Sequence, residues 1–183
     1  MTGEPAEWVA GHTDVRLRPV EESDLDLLAR VEVEPELSEP FQWSGYRDPK
    51  VHRRRWEQDT YLGSEDGRLV VALPDGKFAG FMAWRLLSHR GPRIAYNIGI
   101  LLYPEHRGKG LGSAAQCLMA DHLFSTTLAG RVEAITGTDN VAEQRALEKA
   151  GFQKEGVLRG LGYNRGHYGD GVMYSRIRSD RHP

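Results

Sequence analysis

The most constraining feature of this sequence is a basic, glycine-rich segment that directly follows an apolar run. The run ends at Pro104, and residues 105–113 then contain three glycines before helical apolar spacing begins. Glycines let the backbone approach an anion closely, and the free amides at a helix start point toward it. Arg107 and Lys109 add positive charge. The pattern predicts a strand, a phosphate-binding turn and a helix, in that order.

The glycine spacing excludes two common phosphate-binding motifs. A nucleotide P-loop needs Gly, four residues and then Gly-Lys-Ser/Thr, and the sequence has no such run. The dinucleotide fingerprint needs Gly-x-Gly-x-x-Gly, which Gly108, Gly110 and Gly112 do not match. The residues do match Arg-x-x-Gly-x-Gly, with Arg107 in the first position. A glycine-rich connection without a ligand is the alternative interpretation of these residues alone.

A second pattern lies further along the chain. Asp139 or Asn140 can cap a helix, which Gly151 ends before Phe152 returns the chain to the core. The apolar positions of that helix are Val141, Ala142, Ala146, Leu147 and Ala150. The two patterns, in this order, resemble the two signatures of the GNAT acyltransferase superfamily, which binds acetyl-coenzyme A.

The predicted elements extend this resemblance over nearly the whole chain. Alternation, helical spacing and turn residues predict the order β-α-α-β-β-β-α-β-α-β-β. That order implies an α/β (α+β) GNAT fold with a mixed central sheet of about seven strands and helices on both faces. We expect a single domain over residues 13–178 and a loose leader over 1–12. Ser23 is expected to cap the first helix, with a loop over 32–46 after it.

The resemblance implies an acetyl transfer that passes directly from donor to acceptor. Within the superfamily, the first two helices and the ending at 170–175 resemble a branch that acetylates ribosomal-protein N-termini, polyamines and some antibiotics. Members of this kind transfer an acetyl group from acetyl-CoA, a cosubstrate, to a primary amine in a ternary complex. We expect a small-molecule amine as acceptor, with a protein or peptide N-terminus as the alternative.

The resemblance also implies which residues bind acetyl-CoA. The family splays the strand that ends in Ile100, Leu101 and Leu102 from the next strand and lays the pantetheine arm along it. Asn140 would bond this arm or an intervening water. Gly99 is expected either to form a bulge or to admit a neighbouring side chain. The pyrophosphate is assigned to Arg107, Gly108, Lys109, Gly110, Leu111, Gly112 and Ser113.

The chain departs from the family at its catalytic positions. Asn97 stands where many members carry a general base Glu, and Leu147 where others carry an acidic Tyr. Glu143 stands where this branch often has a Ser close to the sulfur. Asn97 and Glu143 are therefore the candidate catalytic residues, although Glu143 could be a solvated helix residue, and a base acting through water is equally compatible. A CoA-binding sensor without catalysis is a further alternative.

The acceptor is expected where the loop between the first two helices meets the final hairpin. An acidic and aromatic stretch there could bind a cationic amine by charge and cation–π contact, or could be a solvated turn with its rings in the core. The residues at 53–55, three arginines, could be an exposed helix face or could meet an acidic acceptor. The candidate acceptor residues are Glu34, Phe41, Trp43, Tyr46, Tyr168 and Asp170.

Composition excludes several classes of protein. The formal net charge of -2 argues against a nucleic-acid partner. No apolar run reaches membrane-spanning length and no signal-peptide pattern is present, so we expect a cytoplasmic protein without a membrane partner. One cysteine, Cys117, excludes an intramolecular disulfide, and no spacing predicts a metal site. The oligomeric state is open, and a homodimer is among the allowed states.

Overall fold

The computed structural model describes residues 15–87, 94–164 and 166–180. The leader expected at 1–12 and the first two residues of the expected domain lie outside this part. The described residues form one seven-stranded sheet in the order β1-β2-β3-β4-β5-β7-β6. The strands are β1 Arg16–Pro19, β2 Asp66–Ala72, β3 Phe78–Leu87, β4 Ile94–Leu102, β5 Ala129–Gly137, β6 Gln153–Asn164 and β7 His167–Ile177.

Five α-helices accompany this sheet in the described ranges. They are α1 Leu25–Arg30, α2 Pro35–Ser38, α3 Val51–Asp59, α4 Leu111–Thr126 and α5 Val141–Lys149. The mixed α/β fold is therefore as predicted, with α2 added inside the expected loop. Because α2 has only four residues and starts at Pro35, it has too few turns to produce a helical period in the sequence.

Helices cover both faces of the sheet, because alternate side chains of each strand point to opposite sides. On one face, Met82 and Ile98 pack in a core with residues of α4 and α5 such as Met119 and Leu147. On the other face, Val70 and Phe81 pack in a second core that includes Leu28 of α1, with Trp56 of α3 against it.

The central feature of the sheet is the separation of β4 from β5. All neighbouring strands are antiparallel except this parallel pair, which is hydrogen-bonded only from Ile94 to Asn97 on β4. The remainder of β4, residues 98–102, stays paired with β3 but has no register with β5. The splay implied by the family resemblance is therefore present, and it leaves backbone groups of β4 open at the middle of the sheet.

Two local predictions were wrong. Ser23 is not the cap of α1, because a 3-10 turn at Glu22–Asp24 precedes the helix. The Asp24 carboxylate accepts from the Glu21 N–H at 2.8 Å and from Arg18 of β1 at 2.7 Å, so a contact between elements sets this helix start.

Gly99 fits neither of its predicted roles. It pairs in regular register with Ala83, so β4 has no bulge at this residue against β3. A Cβ built on Gly99 would meet no atom within 4 Å, so no neighbouring side chain fills the space. Gly99 instead borders open space in the splayed part of β4.

Candidate active site

A cavity of about 440 Å³, here called the cofactor cavity, lies where β4 leaves β5. The end of β4, the start of α4, one face of α5 and the chain after α2 form its walls. Among the predicted residues, it is lined by Phe41, Ile100, Leu101, Leu102, Arg107, Gly108, Gly110, Gly112, Ser113, Asn140 and Glu143. The two sequence patterns therefore meet at one site.

The turn before α4 is shaped to receive an anion. Gly108 and Gly110 have φ angles of 72° and 80°, in the left-handed region that side-chain-bearing residues avoid. The amide of Ala114 donates to the Gly110 carbonyl at 3.2 Å, which is the first hydrogen bond of the helix. The N–H groups at 111–113 precede it, and no carbonyl of the helix is available to accept from them. A Cβ at Gly108 or Gly110 would meet no atom within 4 Å. This open space over a helix N-terminus suits a phosphate.

Arg107 has a structural role beside the pyrophosphate contact predicted for it. Its Nε donates to the Leu102 carbonyl at 2.9 Å, and its Nη1 donates to the Glu39 carbonyl at 3.0 Å. Its Nη2 also donates to the Leu37 carbonyl. The guanidinium thus ties the chain after α2 to the end of β4, and burial lowers its pKa. Its charge lines the cofactor cavity while its donors hold the wall together.

Two other residues assigned to the pyrophosphate lie outside the cavity lining. Leu111 is 5% exposed and its side chain belongs to the core. Lys109 is exposed on the turn and its side chain does not line the cavity. Only the backbone of Lys109 and Leu111 lies beside the glycine turn before α4, here called the glycine cradle (residues 108–112).

Alternate residues on the open edge of β4 point their backbone groups toward the gap. In an antiparallel pair, residues opposite a non-hydrogen-bonded partner direct both N–H and C=O away from it. The carbonyl of Ile100 accepts from the Gln42 Nε2 at 2.7 Å, and that of Leu102 accepts from Arg107, so both face the gap. One backbone acceptor on the open edge of β4, the Ile100 carbonyl, is therefore already hydrogen-bonded to the side-chain amide of Gln42.

Asn140 caps α5 as predicted. Its Oδ1 accepts from the Glu143 N–H at 3.2 Å. At the other end, α5 finishes at Lys149, and Gly151, whose φ is 83°, turns the chain away from the helix axis. The amides of Gly151 and Phe152 donate back to Glu148 and Leu147, as in a Schellman motif. This placement fixes the first turn of α5 against the cofactor cavity.

Glu143 lies in that first turn and faces the cavity. Burial raises the pKa of its carboxyl from 4.5 to about 7, against a smaller lowering by the side chain of Gln116. Gln116 is 1% exposed, and its Nε2 makes no hydrogen bond of ordinary geometry with the described residues. The solvated, ion-paired role considered for Glu143 does not fit this burial. A group of this pKa can give or take a proton near neutral pH.

Several predicted residues stand apart from the cofactor cavity. Asn97 donates from Nδ2 to the Glu133 carbonyl of β5 at 3.4 Å, at the last paired position before the splay. Leu147 is fully buried in the core, and its hydrocarbon side chain has no proton to donate. Neither side chain lines the cavity.

The predicted acceptor residues do not gather around one space. Glu34 is held by Arg30 at 2.7 and 2.8 Å on the surface. Trp43 packs edge-on against Tyr46, which is 78% exposed. In the last hairpin, Tyr168 is 80% exposed, and the Asp170 carboxylate accepts from the Gly160 N–H at 2.8 Å. Of the six, only Phe41 lines the cofactor cavity.

Other lining residues were missed by the sequence analysis. Arg145 and Lys149 line the rim from α5, four residues apart and on the face that also carries Ala142 and Ala146. Their spacing from each other and from Ala142 and Ala146 was the available signal, because residues three or four apart share one helix face. Gln42 also lines the cavity, and nothing in the sequence indicated its bond to the Ile100 carbonyl.

Comparison with known proteins decides the family. A family model described as the acetyltransferase (GNAT) domain matches residues 14–153. This chain belongs to the GNAT acetyltransferase family. It is 39% identical over 91 residues to the uncharacterized N-acetyltransferase YoaA of Bacillus subtilis, a match that spans about half of each chain, 50% and 49%. It is 25% identical to the uncharacterized N-acetyltransferase p20 of Bacillus licheniformis, covering 90% of this chain and 93% of p20.

Solved structures share the fold of this GNAT protein. Spermidine N-acetyltransferase from Vibrio cholerae, in complex with CoA and spermine, superposes with a TM-score of 0.79 at 18% identity, over 91% of this chain and 97% of that one. Ribosomal-protein-S5-alanine acetyltransferase from Vibrio fischeri gives a TM-score of 0.78 at 22% identity, over 93% and 96%. At these identities the likeness establishes the fold alone.

The described residues show two further absences. None of their helices has the length and apolar character needed to cross a membrane. Nor do they bring together three His, Cys, Asp or Glu side chains in a geometry suited to a metal ion.

Proposed function

We propose that this protein is an acetyl-CoA-dependent N-acetyltransferase that acts on the primary amine of a small molecule by direct transfer. The observation that carries this proposal is the cofactor cavity, in which the glycine cradle, the open edge of β4 and Glu143 face one space. A pyrophosphate, an extended amide-containing arm and a thioester need these three features in this order. Membership of the GNAT acetyltransferase family supports the same activity.

The cavity walls suggest how acetyl-CoA binds. The amides before Ala114 would bond the pyrophosphate, with Arg145 and Lys149 at the rim supplying charge to the phosphates. The pantetheine arm would lie along β4 and bond the edge groups of Ile100 and Leu102. Because Gln42 already bonds the Ile100 carbonyl, the arm would have to displace this amide or bind beside it.

During the transfer the nitrogen loses two protons and the sulfur gains one. A free primary amine has a pKa of about 10, so the ammonium must first lose a proton, to solvent in this proposal. The nitrogen then bonds the acetyl carbon and loses its second proton to solvent, the carbon–sulfur bond breaks, and the sulfur leaves as a thiolate. Glu143, with its pKa of about 7, would protonate that thiolate. Asn97 has no proton to exchange at neutral pH and would hold β4 and β5 together where they part.

The test is thiol release from acetyl-CoA with a panel of amino acids, polyamines, aminoglycosides and short peptides. We expect release that depends on one class of small amine and saturates with both substrates. Release with peptides alone would move the acceptor to a protein N-terminus. Binding of CoA by calorimetry without release from any acceptor would contradict the enzyme and favour a CoA sensor. The cytoplasmic location and the oligomeric state stay predictions.

A further inference from the structure

A second cavity, of about 460 Å³, lies on the α1 and α3 side of the sheet. It is bordered by α3, by the residues that precede it, and by the facing parts of β2 and β3. We call it the arginine cavity, because its lining contains Arg47, Arg54, Arg55, Arg68 and Arg85. Of the residues at 53–55, for which an acidic acceptor was one expected partner, Arg54 and Arg55 line it.

Two of these arginines are neutralised by neighbours. Arg54 pairs with Asp48 at 2.8 Å, and Arg55 pairs with Asp59 at 2.9 Å and with Asp66 at 3.0 Å. The acidic Glu32 of the cavity is bonded to His52 at 3.0 Å. The carboxylates that line the cavity are therefore already engaged.

Three arginines lack such a partner. Within the described parts of the chain, no carboxylate lies within ion-pair distance of Arg47, Arg68 or Arg85. Arg47 and Arg85 are exposed at the cavity mouth. The guanidinium of Arg68 lies deeper, 4.5 Å from the ring centre of Phe81 and 5.4 Å from that of Tyr61.

Burial makes the charge of Arg68 costly. Desolvation is the largest influence on this guanidinium, and it lowers its pKa. Aromatic faces compensate only in part, because a cation–π contact contributes about 1 kcal/mol where a desolvated charge costs several. Its Nη1 lies 3.4 Å from the Nδ1 of His52, and the charges of Glu32 and Asp66 oppose the lowering of its pKa, so a bidentate anion would be an additional partner for this guanidinium.

The β3 residues that line the arginine cavity are paired with β4 near the point where β4 leaves β5. Arg68 is opposite Ala83, and Ala83 is opposite Gly99, so the three lie in one row on the same face of adjacent strands. Gly99 is exposed and has no atom within 4 Å of a Cβ position. The next row places Arg85 opposite Asn97. Two strand spacings, about 10 Å, therefore separate Arg68 from open space beside the splayed edge.

We propose that the arginine cavity binds the anionic group of the acceptor, so that the preferred substrates are primary amines that carry a carboxylate or a phosphate. The amine would reach across the row to Gly99, where the thioester would lie, while Arg68 and Arg85 hold the other end. This inference rests on the proposed function for its reaction, but the anion site can be measured without turnover. It departs from the cationic acceptor expected from the acidic stretch, whose Glu34 is paired on the surface.

The experiment uses amines of one chain length that differ only at the far end. Aminohexanoate, aminohexanamide, diaminohexane and aminohexyl phosphate are compared as acceptors by thiol release and as ligands of the CoA-bound protein by calorimetry. We expect aminohexanoate or the phosphate to bind at least about tenfold more tightly than the neutral amide, and diaminohexane to bind most weakly. The relative affinities of the carboxylate and phosphate arms identify the anionic group.

Variants connect this preference to the cavity. Arg85→Gln, at an exposed position, should raise KM and Kd for the anionic amines about tenfold and leave the affinity for CoA unchanged. Arg68→Lys, which keeps the charge but loses the planar fork, should also weaken them. Arg53→Gln is the matched control, because Arg53 lies on the same helix α3 but pairs with Glu22 outside the cavity.

The outcomes separate this proposal from the proposed function. Turnover with diaminohexane equal to or better than aminohexanoate would overturn the anion site and leave the acetyltransferase standing. Binding of aminohexanoate that Arg85→Gln and Arg68→Lys do not change would overturn it as well. If no amine turns over, arginine-dependent binding of aminohexanoate still supports the anion site while the proposed activity fails.

Discussion

At the scale of single residues, Glu143 is the group whose charge depends most on its surroundings in the cofactor cavity. Burial raises the pKa of its carboxyl to about 7, so it changes charge near neutral pH. Because this value lies above the 4.5 of an exposed Glu, the folded state binds the proton more tightly. The resulting stabilisation is fully present below about pH 4.5 and is lost as the pH rises through about 7.

Glu143→Gln should lower kcat about a hundredfold, because an amide cannot protonate the departing thiolate. If Glu143 is the acid, as we propose, its protonated form is the active one, so kcat of the wild type should fall as the pH rises above about 7, and the variant should lack this limb. The measurement is the pH profile of kcat under saturation with both substrates.

A stability measurement controls for the fold of this variant. The neutral amide avoids the buried charge, so unfolding in urea at pH 8 should show Glu143→Gln to be more stable than the wild type, by on the order of 1–3 kcal/mol. A variant that keeps both the rate and the falling limb would remove Glu143 from the chemistry.

At the scale of elements, the junction of β4 with α4 is where we propose that the cofactor pyrophosphate binds. Gly110 caps α4 with a φ of 80°, and the space where its Cβ would stand is empty of protein atoms. Two effects of a side chain are therefore separable at this position. One is backbone strain of about 1 kcal/mol, and the other is loss of the room into which a phosphate fits.

Gly110→Ala should weaken CoA binding by about tenfold or more, because the methyl group would stand in the cradle over the open amides. Gly76→Ala is the control, since Gly76 has a φ of 88° in the turn between β2 and β3, outside the cofactor cavity. Both variants should lose similar stability in thermal unfolding, but only the first should lose affinity in calorimetry. Equal CoA affinity in the two variants would argue against a phosphate at Gly110.

At the scale of the whole molecule, a buried ion pair joins the C-terminal hairpin to α4. Arg176 of β7 is 1% exposed and bonds Asp121 of α4 at 2.9 Å. Arg176 is opposite Val132 of β5, the residue before the last β5 position that pairs with β4. The ion pair therefore joins the hairpin to α4 beside the point where β4 and β5 part.

Asp121→Ala should destabilise the protein by about 3–5 kcal/mol, because it leaves a buried guanidinium without its carboxylate. The measurement is the free energy of unfolding in urea. Asp75→Ala is the comparison, since Asp75 pairs with Lys77 on an exposed turn and should cost less than about 1 kcal/mol. A loss of similar size in both variants would show that the pair contributes no more than a surface contact.

The sequence predicted the site best where neighbours along the chain define it. The glycines before α4 and the Asn140 cap of α5 are local features, in which the backbone and the nearest side chains set the conformation. Ser23 and the loop at 32–46 were predicted wrongly, since an ion pair from β1 and a four-residue helix decide those regions. The candidate acceptor residues come from two distant segments, 34–46 and 168–170, and the structure does not gather them around one space, so their role stays a prediction.

The sequence alone therefore indicated the GNAT fold through its resemblance to the family, and it predicted most of the elements and the glycine turn before α4, because periodicity, capping and glycine spacing act over a few residues. Only the tertiary structure decided which groups share an environment. In the folded chain, Arg107 bonds the carbonyls of Leu102 and Glu39 and so connects two walls of the cofactor cavity. Burial raises the pKa of Glu143. Arg47, Arg68 and Arg85, which belong to separate segments, line one cavity. Desolvation and charge pairing depend on what the folded chain places nearby, and residues far apart in sequence supply it.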